Sequence, residues 1–223
     1  MKGGVEVRLH NKIKLLSQIS WCKFVYYNFI SKQVERRGRA WIIPYRNAVI
    51  NLAPGAKIII ENGDFLINAN KPSGTHAEAY VTLRKNARLL IHGMTQLNYR
   101  ATIEVHENAE IDIGSAYINS DAVILAAESI RIGYECLISR MVYIYDADHH
   151  DIVNADGKVI NPPRPVIVGN HVWIGLQSLL LRGSKIGDGA VIAANSLVGG
   201  KIKAGTMASG NPARSYAEIL WKG

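Results

Sequence analysis

The chain has 223 residues, 48% of them hydrophobic and 20% charged, with a formal net charge of +8. That composition excludes a disordered or fibrous class and leaves room for one good core; two cysteines, Cys22 and Cys136, make no disulfide framework and point to a reducing compartment. The charge is lopsided: residues 1–40 hold nine of the 26 Lys and Arg but only Glu6 and Glu35 of the 18 acidic residues, so the body is nearly neutral, with no nucleic-acid reader motif.

At the N-terminal end, Leu15, Ile19, Cys22, Tyr26 and Phe29 recur at steps of 4, 3, 4 and 3. That spacing predicts a helix over 9–37 with one apolar face, inside a basic segment at 1–40. Lys12, Lys14, Lys23 and Lys32 ring the face. Such a helix packs on its own core or a neighbouring subunit, which is the commoner arrangement, or rests on an anionic membrane surface. Lys23 and Asn28 interrupt it well short of a membrane span, and the broken apolar run does not read as a signal peptide.

Beyond residue 40 the chain counts in sixes. Val168, Ile174, Leu180, Ile186, Ile192 and Val198 lie six apart, and Ile132, Ile138 and Ile144 keep the same phase. Glycine or a small residue often follows each one. A period of six suits neither a helix nor a hairpin sheet. It suits a triangular prism of short strands, with aliphatic residues pointing in and small residues turning the corners. Looser corner-then-wall units occur at Gly55–Ile60, Asn86–Ile91 and Asn108–Ile113. Residues 68–80 and 92–101 read as loops between them. The prism is expected over 41–212, starting near Ala40 and ending near Gly210. Its open ends need covers, which the N-terminal helix and the 213–223 tail, with a short helix around Tyr216–Trp221, would supply.

The phase breaks after Ile144 and resumes at Val168. Asn154-Ala-Asp-Gly157 and Asn161-Pro-Pro-Arg-Pro165 between them are loop chemistry. An excursion around 147–165 therefore carries Asp146-Ala-Asp-His-His-Asp151. Asp146, Asp148 and His150 alternate and could face one ion, but an EF-hand's sixth-position glycine and distal Glu are missing. No two histidines stand five apart, so a three-histidine zinc site is not expected either. Imidazole, which titrates near neutrality, suits a general base.

Val168-Gly-Asn-His-Val-Trp-Ile-Gly175, Ile186-Gly-Asp-Gly-Ala-Val-Ile192 and Ser209-Gly-Asn-Pro-Ala-Arg214 resemble the hexapeptide-repeat acyltransferases over about residues 45–215. Ile132-Gly-Tyr-Glu-Cys-Leu-Ile-Ser139, Asp148-His-His-Asp-Ile152, Asn161 and His171–Gly175 resemble the branch that O-acetylates surface polysaccharides. The resemblance implies a left-handed parallel β-helix with an N-terminal helical segment, working as a cytoplasmic homotrimer with active sites between subunits. It implies acetyl-CoA as co-substrate, no metal, and a sugar hydroxyl of a capsule, lipopolysaccharide or exopolysaccharide, or its precursor, as acceptor. An amino-sugar N-acyltransferase and a non-catalytic scaffold are the rival readings.

In the register of that branch the catalytic histidine is His150; the galactoside-acetyltransferase spacing lands on His149, which is otherwise acceptor-side. Asp148 shares a side with His150 and either orients it or pins the loop. Asn119 falls at an acceptor-side asparagine, although Ala126 replaces a nearby acceptor aspartate of the galactoside and maltose enzymes. Trp173 lies by the cleft, for stacking on sugar or pantetheine or for packing. Ala194 matches a position lining the coenzyme A channel, Lys201 is one residue off a lysine near coenzyme A, and Arg214 matches an arginine near its phosphates.

Overall fold

A computed structural model describes residues 16–222. Strands wind as a three-walled, left-handed β-helix, against the right-handed habit of parallel crossovers. The first wall has eight parallel strands, from Val34–Arg37 to Lys201–Ile202. The second has eight, from Ile42–Pro44 to Thr206–Gly210, and gains an antiparallel ninth, Ala213–Glu218. The third has seven, from Ala48–Leu52 to Leu197–Val198.

The nine residues of the six-residue phase stack as three columns, one per wall. Ile132 pairs with Val168 and Val168 with Ile186. Ile138 pairs with Ile174 and Ile174 with Ile192. Ile144 pairs with Leu180 and Leu180 with Val198. All are buried, so each adds roughly 1.5–3 kcal/mol of apolar burial to a continuous ladder.

The corners explain the small residues. Between the first and second walls runs a glycine file. A Cβ on Gly133 would come within 2.6 Å of the Gly169 carbonyl oxygen, and one on Gly114 within 2.8 Å of Gly133. Between the third and first walls, Gly55, Asn86 and Asn108 take left-handed φ of 76°, 57° and 61°, which glycine and asparagine tolerate best. The buried alanine after each, Ala56, Ala87 and Ala109, lets the chain enter the next wall.

Several expectations change. The prism begins at Val34, so residues 34–37 are strand and not helix. The described helical stretch is short, Trp21–Val25 followed by a π-helical turn Tyr26–Ile30. Lys12, Lys14 and Leu15 lie outside the described residues. Residues 92–101 are no loop: Thr95–Asn98 is a strand whose inward Thr95 and Leu97 are buried, the threonine masking the pattern. Only 70–78 of the first expected loop is irregular. The C-terminal helix is absent among the described residues. Ala213–Glu218 instead alternates in burial and pairs with the open edge of Thr206–Gly210, whose main-chain groups would otherwise lack partners.

Candidate active site

The excursion leaves the third wall at Tyr145 and rejoins the first at Val166. Asp146 closes its neck. Its buried carboxylate accepts the N–H groups of Ala127 at 2.7 Å and Glu128 at 2.8 Å, from the coil before. Its carbonyl accepts the N–H of Arg164 at 2.9 Å, which ties the two ends together. At the tip, the Asn154 side-chain oxygen accepts the N–H groups of Asp156 and Lys158, a turn that asparagine makes readily.

Asn161 organises the middle. Its amide donates to Asp148 Oδ2 at 3.0 Å and to the His150 carbonyl at 2.8 Å, and its oxygen accepts the Ile152 N–H at 2.6 Å. Arg182, from the following coil, donates through Nε to the same Asp148 oxygen at 2.9 Å and through a terminal nitrogen to the Pro162 carbonyl at 3.2 Å. The Asn161 hydrogen bond first, then Arg182, hold the Asp148 carboxyl below its ordinary range. Among the described residues Asp148 makes no hydrogen bond to the His150 ring. Its contacts are those of a loop pin.

The two histidines face different surroundings. His149, at a φ of 60°, lays its ring 5.1 Å from that of His106 and edge-on to Tyr145 at 5.9 Å. Burial, only partly offset by Glu104, keeps His106 below the usual imidazole value. His150 has an exposed side chain, no ring partner among the described residues, and a backbone fixed by Asn161. That is a free imidazole on a held main chain.

The other expected residues lie elsewhere on the chain. Trp173 faces outward from the second wall, 42% exposed, with its indole N–H on Ser139 Oγ at 3.1 Å. Asn119 and the exposed Ala194 sit at the corner between the second and third walls. Asn119 accepts the Ser120 N–H there and continues a row of amides from Asn98 and Asn70. Arg214 is exposed on the terminal antiparallel strand, its side chain hydrogen-bonded to its neighbour's carbonyl. Lys201 is exposed on the first wall, beside Lys185. One chain thus carries two separate groups: the His150 loop where the third wall meets the first, and Asn119, Trp173 and Ala194 on the second wall and its exit.

Asp146 stood out in the sequence only as a possible ion ligand, and Arg182 was not legible as a site residue at all. The signal for Arg182 is positional: it sits at the corner one coil beyond the excursion. Among the described residues no group of three or more His, Cys, Asp or Glu side chains gathers to hold a metal ion.

No family model matches the chain. It is 34% identical over 120 residues to an Escherichia coli K12 protein named as a lipopolysaccharide biosynthesis O-acetyl transferase, WbbJ, covering 47% of this chain and 61% of the relative. It is 43% identical over 108 residues to nodulation protein L of Rhizobium leguminosarum bv. viciae, covering 48% of this chain and 57% of that protein. The chain thus spans little more than half the length of these relatives. Among solved structures, the polysialic acid O-acetyltransferase OatWY superposes with a TM-score of 0.64, covering 85% of this chain and 90% of that one. At 21% identity that likeness speaks to fold alone. In sequence the chain is similar to these acetyltransferases over about half its length, and in fold it is similar to a solved O-acetyltransferase.

Proposed function

We propose that the protein moves an acetyl group from acetyl-CoA to a sugar hydroxyl of a surface polysaccharide or its precursor, with His150 as general base. The observation that carries this reading is the exposed His150 imidazole, with no ring partner among the described residues, on a backbone held by Asn161. The similarity to proteins named for O-acetyl transfer gives the reaction class.

The chemistry follows. The acceptor oxygen attacks the thioester carbonyl while the imidazole takes the hydroxyl proton. The tetrahedral intermediate carries an oxyanion that backbone N–H groups can stabilise. Its collapse breaks the C–S bond, and the imidazolium returns the proton to the departing thiolate. No acyl-enzyme is formed. Asn161 and Arg182 hold Asp148 and so keep His150 in place; Trp173, Ala194, Lys201 and Arg214 are the coenzyme A candidates, and Asn119, His149 and Trp173 those for the acceptor.

The placement of these groups supports a shared site. His150 lies on the excursion between the third and first walls, and Trp173 on the second wall of the same chain. A second copy, as in the trimer that the resemblance implies, is what brings such groups together. A cytoplasmic setting is part of this proposal, and an acetyl-CoA donor supports it. The test is release of free coenzyme A thiol on mixing the protein with acetyl-CoA and a panel of capsular, lipopolysaccharide and exopolysaccharide glycans. Glycan-dependent release supports the reading. Coenzyme A binding without release by any glycan, amino sugars included, would count against sugar O-acetylation, and failure to bind coenzyme A would favour a scaffold.

A further inference from the structure

The N-terminal helical turns are amphipathic the wrong way round. Asn28 is buried and exchanges hydrogen bonds with the backbone of Ile42, giving at 2.7 Å and receiving at 3.0 Å. Tyr27 donates its hydroxyl to the Ile50 carbonyl at 2.9 Å, and Lys23 its ammonium to that of Ala48 at 2.5 Å. The polar side chains therefore point inward, onto main-chain carbonyls and an N–H of the first coil. Apart from Phe24, half-buried and stacked on Trp41 at 5.6 Å, the apolar ones point outward in two adjacent rows at i, i+4 and i+8: Trp21, Val25 and Phe29, and Cys22, Tyr26 and Ile30. Trp21 is 52% exposed, and Phe29 and Ile30 are each 62% exposed. A contiguous apolar strip of this kind is uncommon on a soluble surface with no partner.

The rim of the strip is cationic. Lys32 and Arg39 are exposed just beyond it, Arg36 lies over the Phe29 and Trp41 rings at 5.3 and 4.3 Å, and Arg37 is already paired with Glu35 at 2.8 Å and Glu61 at 2.6 Å. Residues 1–40 as a whole carry nine basic side chains against two acidic. A soluble polyanion would satisfy the charge and leave the apolar rows wet. A second copy of this face would bring two basic rims together, which is repulsive. A surface both apolar and anionic answers both features, and an aromatic belt with flanking Lys and Arg is the pattern that sits at a lipid interface. No described helix is long and apolar enough to cross a membrane.

We propose that the outward face of Trp21–Ile30 docks on an anionic phospholipid bilayer and that Lys32 and Arg39 engage its headgroups. The inference does not depend on the acetyl-transfer reading. It is tested with the full chain and sedimented vesicles, either pure phosphatidylcholine or phosphatidylcholine with roughly 30% phosphatidylglycerol. Partition onto the anionic vesicles alone is expected, weakened at least tenfold both by Phe29→Ser with Ile30→Ser and, separately, by Lys32→Glu with Arg39→Glu. Among the described residues neither charge makes a side-chain hydrogen bond or ion pair, so the charge pair keeps the test open if the apolar pair misfolds. Oligomeric state, read by light scattering, is expected to stay the same. Equal binding to both vesicle types, no binding, or binding that survives the charge pair overturns the proposal. So does a change of oligomeric state in the apolar variant, which would make the face a contact between copies, or capture of a soluble anionic glycan in place of vesicles.

Discussion

At the scale of single residues, the excursion loop turns on Asn161. One amide joins Asp148, the His150 carbonyl and the Ile152 N–H. Asn161→Ala removes all three bonds, and a base misplaced by about 1 Å costs on the order of a hundredfold in rate. A fall in kcat of that size, with KM for acetyl-CoA little changed, is expected in steady-state kinetics. Asp148 adds a pH signature: its carboxyl is depressed in the folded chain, so the pin is complete above the ordinary carboxylate range and is lost as pH falls through the lowered value. Loop-forming residues located the excursion, and the resemblance to the polysaccharide-acetylating branch singled out Asp148, His150 and Asn161 within it. Arg182 could not, because its role depends on the next coil stacking beneath the loop.

At the scale of elements, the six-residue phase was legible because its nine inward positions are all aliphatic, filling a narrow prism. Ile138, buried between Ile118 and Ile174, shows the cost. Ile138→Ala is expected to lower stability by about 2–5 kcal/mol in denaturant unfolding. Thr95–Asn98 was not legible, because a hydroxyl and an amide stand in its buried positions. The first wall also carries a charge ladder that spacing alone does not reveal. His92 places one ring nitrogen 2.9 Å from Glu61 and the other 2.9 Å from Asp112. Burial lowers its pKa, but the two carboxylates together raise it above the usual value. Its stabilisation is therefore fully present below the unfolded imidazole pKa and is lost as pH rises through the elevated folded one. Unfolding midpoints should fall over that window in the wild type, and His92→Gln should flatten the dependence.

At the scale of the whole molecule, three walls and their corners decide which residues can meet. The glycine file keeps the coils in contact: Gly133→Ala, with a Cβ 2.6 Å from a neighbouring carbonyl oxygen, should cost about 1–3 kcal/mol, whereas Gly200→Ala, which meets nothing within 4 Å, should be nearly neutral. Both are read from thermal unfolding. The direction in which the N-terminal helix faces was not legible, since periodicity locates an apolar face without saying what lies beneath it. The separation of His150 from Trp173 predicts complementation. Inactive His150→Ala chains unfolded and reassembled with inactive Trp173→Ala chains should regain activity in about a quarter of the sites if each site draws on two neighbours. No recovery would place both residues' roles within one chain.

The most direct test of the account is the rate of glycan-dependent thiol release from acetyl-CoA by the wild type, His150→Ala and His149→Ala. The account predicts a loss of about a hundredfold to ten-thousandfold in kcat for His150→Ala, the range a general base supplies, and a change below about tenfold for His149→Ala. Full activity in His150→Ala, or the large loss in His149→Ala instead, would contradict it.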